Sequence, residues 1–315
     1  MRPSVIRTRS LVVVCGLLLC SIAANAQVVR TADVTVRGLR ESDFPRLVEL
    51  AENVYAYEDM NGDTTGNLAF TTNSLIVITD DGVLVADGQN SVEKTQRLVD
   101  TVARLTPLPI RYVVVAADHG DHIAGNSAFP EEATVIAHPI SAARLESAGR
   151  GIRPATETVT DRSVLVLGGV EIRILFLGRA HTGGDLMVHL PVQDVLFLSE
   201  AYFNRLYPSV GGARTAFPIE WVETLKRAEA IGAAINVPGH GFVDTPDVLR
   251  EELAAFRRAL ENLVAESRRL HAAGVPIDAA PRQMNLGEFQ YWYRAANNMP
   301  DAVRQTYLEI EGRLD

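Results

Sequence analysis

Four of the seven histidines sit where side chains can do chemistry together. His119 and His122 flank Asp121 in Asp118-His119-Gly120-Asp121-His122, and His181 lies in Gly178-Arg179-Ala180-His181-Thr182-Gly183-Gly184-Asp185. His240 stands in Pro238-Gly239-His240-Gly241. Neutral imidazole with carboxylate is the ligand set of Zn²⁺ and related divalent ions. Glycine beside such residues lets backbone approach closely and adopt positive φ. Any one of these histidines could be a loop residue satisfied by backbone; four in this arrangement point to a metal centre. His138, His189 and His271 read as structural: His189 lies in an apolar strand, and His271 at a helix end favoured for a cation. The chain has no Gly-x-Ser-x-Gly elbow and no phosphate-binding glycine loop.

The metal-type residues follow strands. Ile110–Ala116 reads as a buried strand ending just before His119, Val170–Leu177 precedes His181, and the short run 234–237 precedes His240. Upstream, 47–58 resembles a first strand, and the polar segment Asp59–Asn67 is either a flap over the site or a hairpin loop. Leu75–Thr79 and Val83–Asp87 form strands joined by the hairpin signal Asp80-Asp81-Gly82. Asn90, with Glu93 three residues on, offers a capping box for a helix whose stripe is Val92, Leu98, Val99, Val102 and Leu105, stopping before Pro107. Val135–His138 is a strand before a helix near 140–148. Ser163–Leu167, Leu186–Leu190 and Val195–Leu198 are further short strands. Thr245-Pro246 opens a helix with Leu249, Leu253, Phe256, Leu260 and Leu263 buried and Gly274 as its stop; a last helix starts at about Pro300. Strands mixed with helices, and a helical tail, predict a layered α/β domain.

Composition narrows the class. At 47% hydrophobic and 22% charged the 315 residues are globular in kind, and 30 basic against 39 acidic side chains, net −9, argue against a nucleic-acid partner. Both cysteines, Cys15 and Cys20, fall in a leader-like stretch: Arg2, Arg7 and Arg9, an apolar run from Leu11 to Ile22, then Ala24-Asn25-Ala26. This predicts a secretory signal over 1–26, cleaved before Gln27. Leu19 and Val14 precede the cysteines, where a lipoprotein signal needs a small residue. The mature chain, having lost three arginines and no acid, carries −12 and no cysteine, so disulfides, thiolate ligands and a cysteine nucleophile are excluded. No later segment approaches the roughly 20 apolar residues of a membrane span.

In these residues the chain resembles the metallo-β-lactamase superfamily, with its His-x-His-x-Asp-His signature, a third histidine in a Gly-His-Thr-type loop, an acidic residue after a strand and a final Gly-His. The resemblance covers most of 45–243, including Asp80–Asp87 before the signature and Gly125-Asn126 after it. His119, Asp121 and His122 match the second, third and fourth signature positions, His181 and His240 the later histidines, and Glu200 the place where many members carry a metal-bridging Asp. Ala117 stands where the first signature histidine is expected.

The resemblance implies an α/β fold, the four-layer αβ/βα sandwich, with residues 27–245 as the catalytic domain and 246–315 as a helical C-terminal extension packed on it. It implies metal ligands His119, Asp121, His122, His181, Glu200 and His240. One zinc site, of Asp121, His122 and His240, would be well formed; the other, left with His119 and His181, would be weakened, with Glu200 binding either ion or bridging both. Iron or manganese are alternatives to zinc. Asp121 would also orient the nucleophile. A subclass with Asn at the first position works with one metal, so Ala117 does not exclude activity, although that subclass uses a cysteine. Asp118 is either a substitute ligand or the outward-facing variable residue, and Asp87 either an acceptor behind a ligand histidine or a strand-ending turn residue. Tyr202, Phe203 and Tyr207 with Arg205 either line a substrate cleft or cover the core edge, and Tyr291-Trp292-Tyr293 reads as helix packing. The function implied is a secreted, periplasmic hydrolase turning a metal-activated water on a small-molecule lactam, lactone or ester. The alternatives are a non-catalytic metal- or ligand-binding protein and an iron-dependent redox enzyme. Oligomeric state is not legible in the sequence.

Overall fold

The computed structural model describes residues 29–62, 69–149, 151–210 and 215–314; the expected leader and part of the Asp59–Asn67 segment lie outside the described residues. In chain order, β1 (Arg46–Ala51) and β2 (Val54–Asn61) form a hairpin, followed by β3 (Phe70–Thr79), β4 (Gly82–Ala86), α1 (Val92–Leu105) and β5 (Ile110–Val114). The short α2 (Gly120–Ile123), β6 (Thr134–Ala137), α3 (Pro139–Ser147), β7 (Glu157–Thr158), β8 (Arg162–Leu167) and β9 (Val170–Leu175) come next. Then follow β10 (Met187–Leu190), β11 (Val195–Phe203), α4 (Pro218–Ile231), β12 (Ile235–His240), α5 (Pro246–Ala272) and α6 (Ala295–Ile310).

Strand alternation sorts the apolar side chains into three layers. Leu75, Val77, Leu84 and Val114 face a central layer, where they meet Ile174, Val188, Phe197 and Val237 from the later strands. Ile76, Val83 and Val85 point the other way, onto Leu98 and Val102 of α1 and Leu145 of α3. Met187, Leu196 and Leu198 face Trp221 and Leu225 of α4, Phe256 and Leu260 of α5 and Tyr307 of α6. Helix, sheet, sheet, helix is thus the layer order, and strands apolar on both faces are what such a sandwich requires.

The two halves are continuous. Strand order β7-β6-β5-β4-β3-β12-β11-β10-β9-β8 makes one curled sheet, with β1 and β2 added beside β3. The seam is the single pair Thr72–His240 between β3 and β12. A residue expected at the metal centre therefore sits at the join, where both halves deliver their loops.

Several elements differ from the sequence reading. The strand at 47–58 is a hairpin turning at Asn53, whose φ is +62°. Ser91 rather than Asn90 caps α1, its hydroxyl accepting from the Lys94 amide, while Asn90 donates to Asn61 Oδ1. α4, not anticipated, carries proline at its N-terminus, the buried stripe Trp221, Leu225 and Ala228, and left-handed Gly232 as its stop. α6 begins at Ala295 and contains Pro300. The C-terminal helices are also tied to the N-terminal segment: Arg37 forms a fork with Asp244, and Arg30 and Arg205 share the buried Glu252.

Candidate metal centre

The C-terminal ends of β4, β5, β9, β11 and β12, with the loops that leave them, meet at one edge of the sandwich. His119 is the N-cap of α2, a turn of helix that projects Asp121 and His122 to the same side. His181 lies in the loop after β9, packed against Phe203 and Trp221. Glu200 is on β11 and His240 ends β12. Their approach depends on Gly239, where a Cβ would collide with the Ser199 carbonyl and lie 2.7 Å from the Glu200 amide nitrogen.

Two groups of ligand-type atoms result, and they share Glu200. In the first, Glu200 Oε2 lies 3.0 Å from His119 Nδ1 and 3.1 Å from His181 Nδ1. In the second, His240 Nε2 lies 3.2 Å from Glu200 Oε1, 3.4 Å from Asp121 Oδ2 and 3.5 Å from His122 Nε2. His122 Nε2 is 3.9 Å from Glu200 Oε1. Bonds of ~2.0–2.1 Å in a tetrahedron put ligand atoms ~3.3–3.4 Å apart, so the spacing suits one ion per group.

Hydrogen bonds fix which nitrogen of each ring faces inward. His240 Nδ1 is 2.9 Å from the Thr71 carbonyl, which can only accept, so Nδ1 donates and Nε2 keeps its lone pair. His122 Nδ1 donates to Asp87 Oδ2 at 3.0 Å. Thr215 Oγ donates to the His181 carbonyl and accepts from His119 Nε2 at 2.8 Å, leaving His119 Nδ1 facing Glu200. With both Nδ1 atoms donating outward, the Nε2 atoms of His122 and His240 face each other at 3.5 Å, a gap that a shared proton or a metal cation can fill. His181 Nδ1, though close to Glu200, lacks hydrogen-bond geometry, and its Nε2 is also buried without a partner. The donor set fits a pair of divalent ions.

The electrostatics agree. Burial acts to lower the His119 and His122 pKa values, but Glu200 beside the first, and Asp87 and Glu200 beside the second, outweigh it and push them up to about 9 and about 10. Burial opposes ionisation of Glu200, yet the imidazoles of His119, His181 and His122 hold its carboxyl well below the usual range. His181 is pushed down by burial. Carboxylates here hold protons on imidazoles, the place a metal cation takes.

Asp87 supports the centre. Its φ of +62° is a conformation Asp tolerates better than most residues, and it turns the carboxylate under the site. There it accepts from the Ala116 and Ala117 amides at 2.8 and 3.2 Å, from His122 and from the Ser199 hydroxyl. Asp121 is held by the Asn61 amide at 3.0 Å.

For Asp118, Tyr202 and Arg205 the structure decides between the alternatives that the sequence left open. Asp118 faces away from both groups, bound to Ser141 and Arg144. Tyr202 is fully buried with its hydroxyl on the Leu249 carbonyl. The irregular β11–β12 register between Ser199 and Phe203 breaks alternation, so Phe203 rather than Tyr202 joins Glu200 at the cleft. Arg205 turns to Glu252 and stacks on Trp292, clear of the cleft. Of Tyr291-Trp292-Tyr293, Trp292 and Tyr293 join the core lined by α5 and α6, as helix packing requires, whereas Tyr291 is exposed; Tyr293 also bonds the Ala69 carbonyl. His138 caps α3, as a structural histidine would. Thr215, Asn61, Ser199, Phe70 and Arg294 join the site without a sequence signal that singled them out.

Residues 68–240, more than half of the chain, match the family model described as the metallo-beta-lactamase superfamily. The chain belongs to this superfamily. It is 24% identical over 200 residues to metallo-beta-lactamase IND-1 of Chryseobacterium indologenes, covering 63% of this chain and 82% of that protein. It is 22% identical over 283 residues to a linear primary-alkylsulfatase of Pseudomonas sp. (strain ATCC 19151), covering 72% of this chain and 53% of the relative. Among solved structures, a metallo-beta-lactamase from Pontibacter korlensis superposes with a TM-score of 0.61 at 20% identity, over 69% of this chain and 99% of that one. That likeness extends to the superfamily fold. Ala117, which the sequence resemblance aligns with the first signature position, is fully buried and has no ligand atom in its side chain. The His119–His181 group is completed by Glu200 instead.

Proposed function

We propose that this protein is a metal-dependent hydrolase that turns an activated water on a lactam, lactone or ester carbonyl of a small molecule. The observation that carries the reading is the pair of ligand groups joined through Glu200, with imidazole lone pairs converging beneath a cleft. His119, His181 and Glu200 would hold one ion, and Asp121, His122, His240 and Glu200 the other. Zinc fits the set, and iron or manganese satisfy the same donors. A divalent metal bound there supplies a water that ionises near neutral pH and a Lewis acid for the carbonyl.

The chain's own residues supply the rest. Asp121 is the most exposed of the six, its side chain 23% accessible, and the Asn61 amide fixes the oxygen nearest His240. It orients the nucleophile, accepts the proton the water gives up on attack, and returns it to the leaving nitrogen or oxygen as the tetrahedral adduct collapses. Asp87 and the Thr71 carbonyl keep His122 and His240 in the tautomers that bind through Nε2. Phe70, Phe203 and Leu206 form an apolar wall that limits water around the reacting carbonyl.

We read 27–245 as the catalytic domain, 246–315 as an extension that braces it, and 1–26 as the leader that exports it to the periplasm. Among the described residues no helix is long and apolar enough to cross a membrane. The test is elemental analysis of the purified mature chain with a hydrolysis screen over β-lactams, lactones and aryl esters, and alkyl sulfates as a further arm. Tightly held metal, with turnover lost in His122→Ala and His240→Ala, supports the reading. A chain that takes up no metal at micromolar zinc refutes it.

A further inference from the structure

The cleft over the ligand groups, of about 100 Å³, is closed on one side by residues beyond the segment matching the superfamily: Arg294 and Asn298. Arg294 is the one Arg or Lys among the described residues that line this cleft, and unlike many of the chain's arginines it meets no carboxylate. Arg37, Arg97, Arg144, Arg179, Arg205 and Arg257 each meet a carboxylate. Among the described residues none pairs with Arg294, and its Nε is buried without a hydrogen-bond partner. Its guanidinium carbon lies 5.3 Å from the Phe70 ring centroid, and Phe70 in turn meets His240 edge-on at 4.9 Å. The cation is thus aimed into the cleft, across one aromatic ring from a candidate metal ligand.

The backbone holds it there. Arg294 is the left-handed N-cap of α6, with φ +60° and ψ +17°, a conformation a long side chain rarely adopts without constraint from its surroundings. The constraint is visible on both flanks. Tyr293 bridges to Leu206, its carbonyl accepts from the Tyr207 amide, and its hydroxyl donates to the Ala69 carbonyl beside Phe70. Asn298 donates to the Tyr207 carbonyl. A buried guanidinium nitrogen without an acceptor is costly, and its planar fork matches a carboxylate or sulfate.

We propose that Arg294 holds an oxyanion group of the substrate, so that the C-terminal extension makes this site selective for compact, anionic molecules with an apolar face for Phe70, Phe203 and Leu206. The proposal takes the cleft as the substrate site of the hydrolase reading, but its test does not require turnover.

The experiment is calorimetric titration of the full mature protein, as purified and again after adding zinc, with phenylacetate and its neutral isostere phenylacetamide. Wild type should bind the anion at least tenfold more tightly, the scale of one charge-assisted hydrogen bond. Arg294→Met should bring the two affinities together, and Arg294→Lys, which keeps charge but loses the fork, should fall between. Should Arg294→Met fail to fold, Arg294→Gln serves in its place and must give a ratio near one. Equal binding of the two probes to wild type overturns the proposal. So does a preference that survives the loss of charge, because the anion then sits on the metal-ligand cluster. Absence of hydrolysis in the earlier screen would defeat the hydrolase reading and leave this ratio standing.

Discussion

Asp87 offers the sharpest perturbation, because one fully buried carboxylate serves four donors from three segments. Asp87→Ala strands two backbone N–H groups, one hydroxyl and the imidazole N–H of His122. The Ser199 hydroxyl can rotate to another acceptor, leaving three donors at about 1–3 kcal/mol each. Taking the low end, a loss of about 3–5 kcal/mol follows, a large share of the 5–15 kcal/mol that ordinary domains possess. Asp87→Asn isolates the role at the metal. Its amide oxygen can still serve Ala116 and Ala117, but its NH₂ faces the His122 Nδ1 proton and drives the ring towards the other tautomer. Zinc affinity at the Asp121–His122–His240 group should fall about 10- to 100-fold, the usual effect of losing a support behind a ligand histidine. The assay is competition for zinc against a chromophoric chelator, which resolves a tight and a weak step, with thermal unfolding in parallel. The weakened step should belong to one group only, leaving the His119–His181 step in place. An Asp87→Asn protein with both steps unchanged would show that His122 does not bind through Nε2.

Glu200→Asp retracts the shared carboxylate by one methylene and should cut zinc from two equivalents to one; adding Ala117→His should restore the second, as read by elemental analysis. An unchanged stoichiometry in the single variant would dismiss Glu200 as the shared ligand. Glu58 is buried, and burial pushes its carboxyl up from the ordinary 4.5 to about 7 despite Arg46 at 3.0 Å. Its folded form is thus the better proton binder between those values, so its contribution to stability is complete below pH 4.5 and is lost as pH rises to about 7. The fall in Tm between pH 5 and 7.5 should be smaller in Glu58→Gln, and equal slopes in the two proteins would refute the assignment. Glu252→Ala leaves Arg205 without its carboxylate and Arg30 with Glu251 alone. Since both arginines are partly solvated, with 27% and 39% of their side chains accessible, the expected loss is about 1–2 kcal/mol, seen as a lower Tm with metal content unchanged. Loss of metal along with stability would tie the N-terminal strap to the site itself.

What was legible in the sequence was what short stretches encode. His119, Asp121 and His122 sit on one turn of chain, and the strand ends before His181 and His240 show as apolar runs meeting glycine. The layers were legible for the same reason: alternation sends Leu75 and Ile76 to opposite cores. Residues recruited across the fold were not. Asn61 reaches Asp121 from 60 positions away and Thr215 reaches His119 from 96, contacts for which no local pattern exists. Tyr202 failed as a cleft residue through a local irregularity: Ser199 has φ +47°, and the distorted pairing that follows hands the cleft to Phe203. Arg205 and Arg294 look alike in sequence, and only tertiary contact distinguishes an arginine neutralised by Glu252 from one aimed into the cleft.

Ala117 takes on a different meaning beside Glu200. A missing first histidine suggested a decayed site, with two ligands where three are needed. Yet Glu200 spans both groups, Oε2 within 3.0–3.1 Å of His119 and His181 and Oε1 3.2 Å from His240 and 3.3 Å from His119. Spanning both needs reach, and glutamate has one methylene more than aspartate. It also needs strands held close, which Gly239 permits by presenting no side chain to Ser199. Decay would leave the surrounding support slack, whereas His119 is still held by Thr215, His122 by Asp87 and His240 by Thr71. Three oriented rings around a shared, strongly acidic carboxylate are costly to keep in a fold without a cation to neutralise them. On the proposed hydrolase reading, the alanine and the glutamate therefore belong together, as one redistribution of ligands within the centre.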